Sequence, residues 1–318
     1  MNLRIATRRS ALALWQAEWM RSLLAGRGHA AELLPMQTEG DRVVDRALAE
    51  VGGKGLFVKE LEQAILEGRA DLAVHSAKDV PFALPDALTL CAFPAREDPR
   101  DALVAPRAKR FASLPRGARV GTSSLRRAVQ LQAARPDLIV VPVRGNVQTR
   151  LAWALDGRLD AVVLAFAGLR RLGLDAHATE LLEVDLSLPA AGQGALAVEV
   201  LSGSRAEAAC APLDDPGTSR CVRAERAVLA RLAGGCTVPI GAYAVEEGPL
   251  VWLRAILGGP DGRGGVALLR AEARGDSPER LGTRVAEDLL ARGGGPLLDA
   301  ALQGLAAQAM HSRASGTA

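Results

Sequence analysis

The chain opens on a short apolar run alternating with polar residues and then changes period. Residues 3–7 read as a strand, and from about 11 to 24 the side chains of Leu12, Trp15, Trp19 and Leu23 fall on one stripe of an amphipathic helix. Ser10 is the natural N-cap. A similar unit returns later as strand-like residues 119–120, a polar turn of Gly121, Thr122, Ser123 and Ser124, and a helix over about 125–134. RIATRRSALALWQ and RVGTSSLRRAVQ look alike. A closer pair is LEGRADLAV (66–74) and LDGRLDAVV (155–163), which share Leu, an acid, Gly-Arg, Asp and a final Val in register. Each of these ends a helix and enters a buried strand. Two matches in the same order predict two α/β halves of related topology, weighed against chance likeness between αβ segments.

Between the halves, residues 94–105 are charged and proline-punctuated, as a crossover would be, and residues 188–200 offer Gly192 and Gly194 as a return hinge. A cleft between two lobes follows. After Pro212 the pattern changes. Thr218 or Ser219 can cap a helix to about 232, residues 238–245 read as a strand, 250–257 and 265–270 as a hairpin, and Ser277 and Pro278 open a last helix. The expected fold is α/β with three domains. An N-terminal lobe covers 1–94 and is completed by 195–212, a second lobe covers 100–188, and a small α+β domain covers 216–318.

Composition narrows the partners. The 318 residues carry a net charge of only +3, with 3% aromatic residues, so stacking platforms are few and a nucleic-acid partner is not expected. Of the 39 basic residues only Lys54, Lys59, Lys78 and Lys109 are lysine; coding bias accounts for such an arginine excess unless the arginines cluster. The longest apolar run, 161–169, is half of the roughly 18–20 residues that a membrane helix needs. Arg4, Arg8 and Arg9 precede an apolar stretch, but Gln16 and Glu18 interrupt it, which reads as mature protein and not a signal peptide. Four cysteines without CxxC spacing, and four isolated histidines, predict a reducing cytoplasm, no disulfide framework and no metal site assembled from sequence neighbours, which leaves a spatially assembled one open. Small anions are the better candidates.

Helix N-termini carry unpaired N–H groups and a partial positive charge, and so attract carboxylate or phosphate. Thr7, Arg8, Arg9 and Ser10 stand at one such start; Thr122, Ser123, Ser124, Arg126 and Arg127 stand at the other, with Arg144, Arg150 and Arg171 nearby in sequence. Either cluster alone also fits solvated arginines and ordinary caps. VGGKGLFVKELEQAI (51–65) reads either as a mobile loop carrying Lys54 over a cleft or as a plain helix-entry turn. At 71–81 a buried strand ends in His75, Ser76, Lys78, Asp79 and Pro81, where ligands of open α/β sheets bind. Asp79 beside Lys78 is either a structural ion pair or an acid that stabilises a developing cation and handles protons. Cys236 follows a helix C-terminus, whose dipole raises a thiol pKa, so an activated nucleophile is disfavoured and a buried thiol or a single covalent attachment remains.

Nine segments in order, LRIATRRSALALWQA, VGGKGLFVKELE, DLAVHSAKDVP, REDPRDA, GTSSLRR, VRGNVQTRL, AGLRRLGL, LPAAGQGA and GGCTVPIGAY, make the chain resemble the porphobilinogen deaminase family over nearly its full length. The resemblance implies two lobes like those of a type II periplasmic binding protein plus the small third domain. It implies a transferase of tetrapyrrole biosynthesis: four porphobilinogen molecules condense head to tail, each losing ammonia, on a dipyrromethane primer, and water then releases hydroxymethylbilane. It implies Cys236 as the thioether anchor and Asp79, with Lys78, as the catalytic pair. Cofactor contacts implied are Lys78, Asp79, Thr122, Ser124, Arg126, Arg127, Arg144 and Gly194; substrate contacts are Arg8, Ser10, Lys54, Arg144, Arg150, Arg171 and Gln193. A cytoplasmic monomer is implied as well. Glu50 departs from the family, where lysine is expected, and leaves the loop less basic. A non-catalytic anion-binding module would share the lobes but leave Cys236 and its domain unexplained.

Overall fold

The computed structural model describes residues 1–38, 40, 58–232 and 238–301. Lys54, Glu50 and Cys236 therefore lie outside the described residues. Three sheets organise the rest. The first contains β1 (Asn2–Arg8), β2 (Ala30–Met36), β3 (Leu72–Ser76) and β4 (Leu88–Ala92), with helices α1 (Ala11–Ala25) and α2 (Lys59–Leu66) on its faces. The chain then crosses to β5 (Asp101–Val104), β6 (Arg119–Gly121), α3 (Leu125–Ala134), β7 (Ile139–Val141), α4 (Val147–Leu155), β8 (Ala161–Ala165), α5 (Phe166–Arg171) and β9 (Glu180–Leu182). It returns as β10 (Leu196–Leu201), which inserts between β3 and β4 of the first sheet.

Strand order is β2-β1-β3-β10-β4 in the first sheet and β7-β6-β8-β5-β9 in the second, with the same parallel and antiparallel pairs at matching places. The internal sequence match has a physical basis. Asp71 Oδ2 accepts the backbone N–H of Arg4 at 2.7 Å, and Asp160 Oδ2 accepts that of Arg119 at 2.7 Å. Each shared Asp thus latches the first parallel strand of its lobe to the third, and Gly68 and Gly157, both at positive φ, turn the chain into it.

The stripe on α1 differs from expectation. Ala13, Gln16, Ala17, Met20 and Leu24 are its buried face, while Trp15 is 37% exposed and stacked on Trp19 at 6.3 Å. Leu12 and Trp15 turn toward α5 of the other lobe, where Gly168 and Arg171 meet them.

Helix α6 (Arg205–Cys210) packs on the first sheet and completes that lobe, and the third domain follows as α7 (Pro216–Arg231), the antiparallel sheet β11 (Ile240–Glu247), β12 (Leu250–Pro260) and β13 (Val266–Gly275), and α8 (Pro278–Leu289). Asp215, and not Thr218 or Ser219, caps α7: its carboxylate accepts the Thr218 N–H at 2.8 Å, and Pro216 takes the first helical position. Thr218 is buried inside the helix and accepts the Arg96 N–H at 3.1 Å. Among the described residues no helix is long and apolar enough to cross a membrane.

Candidate active site between the lobes

Strand β3 is buried over its first four residues and breaks into a 3-10 turn, Ala77–Asp79, which brings Lys78 and Asp79 out at its carboxyl end. Val80 and Pro81 are held from the third domain, because Arg226 of α7 donates to both carbonyls at 3.0 and 2.6 Å. The turn is therefore fixed on two sides.

Facing it, the second lobe presents the start of α3. Ser124 caps the helix by accepting from the Arg127 N–H, and Thr122 Oγ1 accepts the Ser124 N–H at 3.2 Å. Arg126 and Arg127 do not project into solvent. Both converge on Asp101, the fully buried first residue of β5: Arg126 Nη1 donates to it at 2.8 Å, Arg127 Nη2 at 2.7 Å, Ser187 Oγ at 2.7 Å and Gln193 Nε2 at 2.8 Å. Burial opposes ionisation of Asp101, but the two guanidiniums outweigh it and hold the carboxyl well below the usual carboxylate range. Two cations on one anion leave a net positive charge inside the lobe.

The surrounding cations feel that charge. Burial pushes Lys78 down to about 8; Asp79 opposes the shift and Arg127 adds to it. Arg150 of α4, whose Nε donates to the Gly145 carbonyl at 2.8 Å, is lowered by burial and by Arg127 and Arg144, while Asp79 raises it. Asp79 thus acts on Lys78 of its own lobe and on Arg150 of the other. Arg171, at the end of α5, is pushed by burial down to about 10; its Nη2 donates to the Gly194 carbonyl at 2.6 Å and its guanidinium lies 5.9 Å from the Trp15 ring centre. Arg8 ends β1 and Ser10 caps α1, accepting the Ala13 N–H at 3.3 Å.

The return crossing is built into the same place. Gly194 has φ +89°, and a Cβ there would collide with the Glu97 carbonyl oxygen, so only glycine fits. Gln193 is buried between the lobes, donating to the Pro99 carbonyl at 2.6 Å as well as to Asp101.

Two acids at the centre of this network escape sequence reasoning. Asp101 stood within a charged, proline-rich stretch; its one signal was the apolar run that follows it. Glu225 of α7 is fully buried, accepting from both Nη atoms of Arg96 at 2.6 and 3.1 Å, from the Gly192 N–H at 2.6 Å and from the Ala244 N–H at 2.8 Å. It ties the outgoing and returning crossings to the third domain.

The fold and site define a two-lobed α/β protein with a third domain clamped to both crossings and a cluster of cations, joined by Asp79, where the lobes meet. Residues 3–208 match the family model described as porphobilinogen deaminase, dipyromethane cofactor binding domain, and residues 219–291 match porphobilinogen deaminase, C-terminal domain. The chain belongs to the porphobilinogen deaminase family. It is an enzyme, a transferase acting on porphobilinogen, with hydroxymethylbilane synthase function in tetrapyrrole biosynthesis and a dipyrromethane cofactor.

Solved structures are more distant. The methionine binding protein MetQ shares 11% identity at a TM-score of 0.43, over 67% of this chain and 89% of its own. A putative methionine-binding lipoprotein from Bacillus subtilis shares 13% at 0.41, over 67% and 89%. The periplasmic aliphatic sulphonate binding protein SsuA from Escherichia coli shares 16% at 0.38, over 72% and 70%. At such scores they carry no argument about the site.

Proposed function

We propose that Asp79 and Lys78 are the catalytic pair and that the facing cations bind the carboxylates of cofactor and substrate. The observation that carries this reading is that Asp79 and Arg127, from opposite lobes, both act on Lys78 and on Arg150. Lowered proton affinity at Lys78 and Arg150 means that these cations are unfavourable as they stand, and an incoming carboxylate relieves that. This donor set fits a dipyrromethane, whose side chains are acetates and propionates; when bound it supplies the primer to which each new pyrrole is joined. Lys78, Arg144 and Arg150 then hold carboxylates, Arg8 and Ser10 close the first-lobe side and Arg171 the second, and Thr122, Ser124, Gln193 and Gly194 position them, while Arg126 and Arg127, whose guanidiniums are taken up by Asp101, act through their charge and not by contact. Lys54 would add a cation from its own segment.

Asp79 has two tasks. Loss of ammonia leaves the incoming porphobilinogen cationic, and a carboxylate beside its pyrrole N–H stabilises that charge where little water screens it. The same carboxylate receives the proton released when the new bond restores aromaticity. Lys78 and Arg150 are the cations on which Asp79 acts from its place at the strand end. Cys236 would anchor the cofactor as a thioether; the residues flanking its segment, Leu232 and Val238, are buried in the third-domain core, which suits a fixed attachment point. Domain boundaries at 94–100, 188–195 and 212–216, and a cytoplasmic monomer without nucleic-acid partners, complete the reading.

Replacing Asp79 by Asn tests it. Fold and covalently bound cofactor are expected to survive, seen by circular dichroism and intact mass, while kcat falls by about 100-fold or more. A variant that keeps wild-type kcat removes Asp79 from the chemistry. For the anchor, peptide mapping of the purified enzyme should find dipyrromethane mass on the peptide containing Cys236; mass on any other residue overturns that assignment.

A further inference from the structure

Cys91 and Cys210 take no part in the chemistry above, yet they meet inside the first lobe. Cys91 lies on edge strand β4, half-buried, and Cys210 ends α6, fully buried; both belong to the core packed between that sheet and α6. Their side chains hydrogen-bond to one another. The backbone holds them there. Two residues beyond Cys91, the Phe93 N–H donates to Asp214 Oδ1 at 2.7 Å, and the Asp215 N–H donates to the Phe93 carbonyl at 3.0 Å, so the segments leaving β4 and α6 are clipped together beside the sulfurs.

We propose that Cys91 and Cys210 are a redox modification site that closes to a reversible disulfide when the protein meets a peroxide. Cys91 is the sulfur within reach of solvent. A peroxide oxidises its thiol to a sulfenic acid and leaves as water. The Cys210 sulfur then attacks the Cys91 sulfur, the S–O bond breaks, and the hydroxyl departs as a second water with the Cys210 proton. Each sulfur gives up one electron of the pair taken by the peroxide, and a thiol reductant returns both. Exposure orders the two steps: Cys91 is the sulfur that peroxide reaches, and the buried Cys210, hydrogen-bonded to it from the core, resolves the sulfenic acid. Cys221 lacks such a setting, because it sits in the third-domain core, apart from both.

The bond would cross-link edge strand β4 to α6 and enclose the whole second lobe in one covalent loop. A closure that long restricts the unfolded chain strongly, so the oxidised protein resists unfolding more than the reduced one. In a reducing compartment the bond is transient and responds to oxidant.

Treatment of the intact holoenzyme with hydrogen peroxide, followed by alkylation and non-reducing peptide mapping, tests the site. The expected product is a peptide pair joining Cys91 to Cys210, lighter by two hydrogens and split by dithiothreitol, with a melting temperature raised by several degrees. Cys91→Ser and Cys210→Ala each abolish the linked pair and the melting shift. Recovery of both cysteines as alkylated thiols after oxidation overturns the proposal, as does a link from either to a different cysteine.

Discussion

The two lobes share strand order, strand direction and the Asp latch, but they use their buried acid differently. Each lobe carries one fully buried carboxylate on the antiparallel strand inserted next to its third parallel strand: Asp101 on β5 and Glu199 on β10. Asp101 binds two arginines, a serine and a glutamine. Among the described residues Glu199 is hydrogen-bonded to the His75 Nε2, at 2.9 Å, and its Oε1 has no hydrogen-bond partner. The same scaffold therefore makes a cation hub in the second lobe, while the first carries Lys78 and Asp79 at its strand end. Charge was divided unequally between two copies of one topology.

The largest expected effect that breaks this contrast is loss of Asp101. Asp101→Asn leaves Arg126 and Arg127 buried without their counter-ion, and about 3–5 kcal/mol of stability should disappear in urea denaturation. Glu199→Gln retains a hydrogen-bonding group toward His75 and should cost under half as much. Equal losses would mean that the hub has no special standing.

A smaller effect follows from Lys78 and has a defined sign. The unfolded chain holds this proton to its ordinary value of 10.5, whereas the ligand-free fold gives it up near 8. Between these values the unfolded state binds more protons, so the contribution of this group to stability rises as pH rises from about 8 to 10.5. Carboxylate binding runs the other way and weakens as pH climbs through about 8. Lys78→Met should remove both slopes, measured by thermal melts and by titration with porphobilinogen. Slopes that survive in the variant assign them to another group.

The smallest effect concerns the latches. Asp71→Ala and Asp160→Ala each remove a charged acceptor from a strand N–H at a partly exposed edge, and each should cost about 0.5–1.5 kcal/mol. Matched losses support one shared device. A gap wider than that range shows that one lobe relies on its latch more than the other.

Much of this was legible before any coordinates. Gly68 with Asp71 and Gly157 with Asp160 sit in local turns whose geometry depends on near neighbours, so the repeat shows in the text of the chain. The 3-10 turn bearing Lys78 and Asp79 also follows from local signals, a buried strand ending at a Pro. Asp101 did not announce itself, because its partners lie 25 to 92 residues away and one more acid in a charged stretch looks solvated. Likewise, the Trp15 and Trp19 stripe has helical spacing, but it meets the other lobe and solvent while smaller residues face the sheet. Periodicity finds the apolar face; it does not say which partner covers it.

Strand β10 has a consequence for synthesis. It is a central strand of the first sheet, yet it is encoded after the whole second lobe, so β4 has no neighbour until residues 196–201 leave the ribosome. The second lobe is thus the first unit whose sheet is complete, although it is not the first translated. The amino-terminal half, with Asp79, waits as an open-edged sheet for the chain to come back to it.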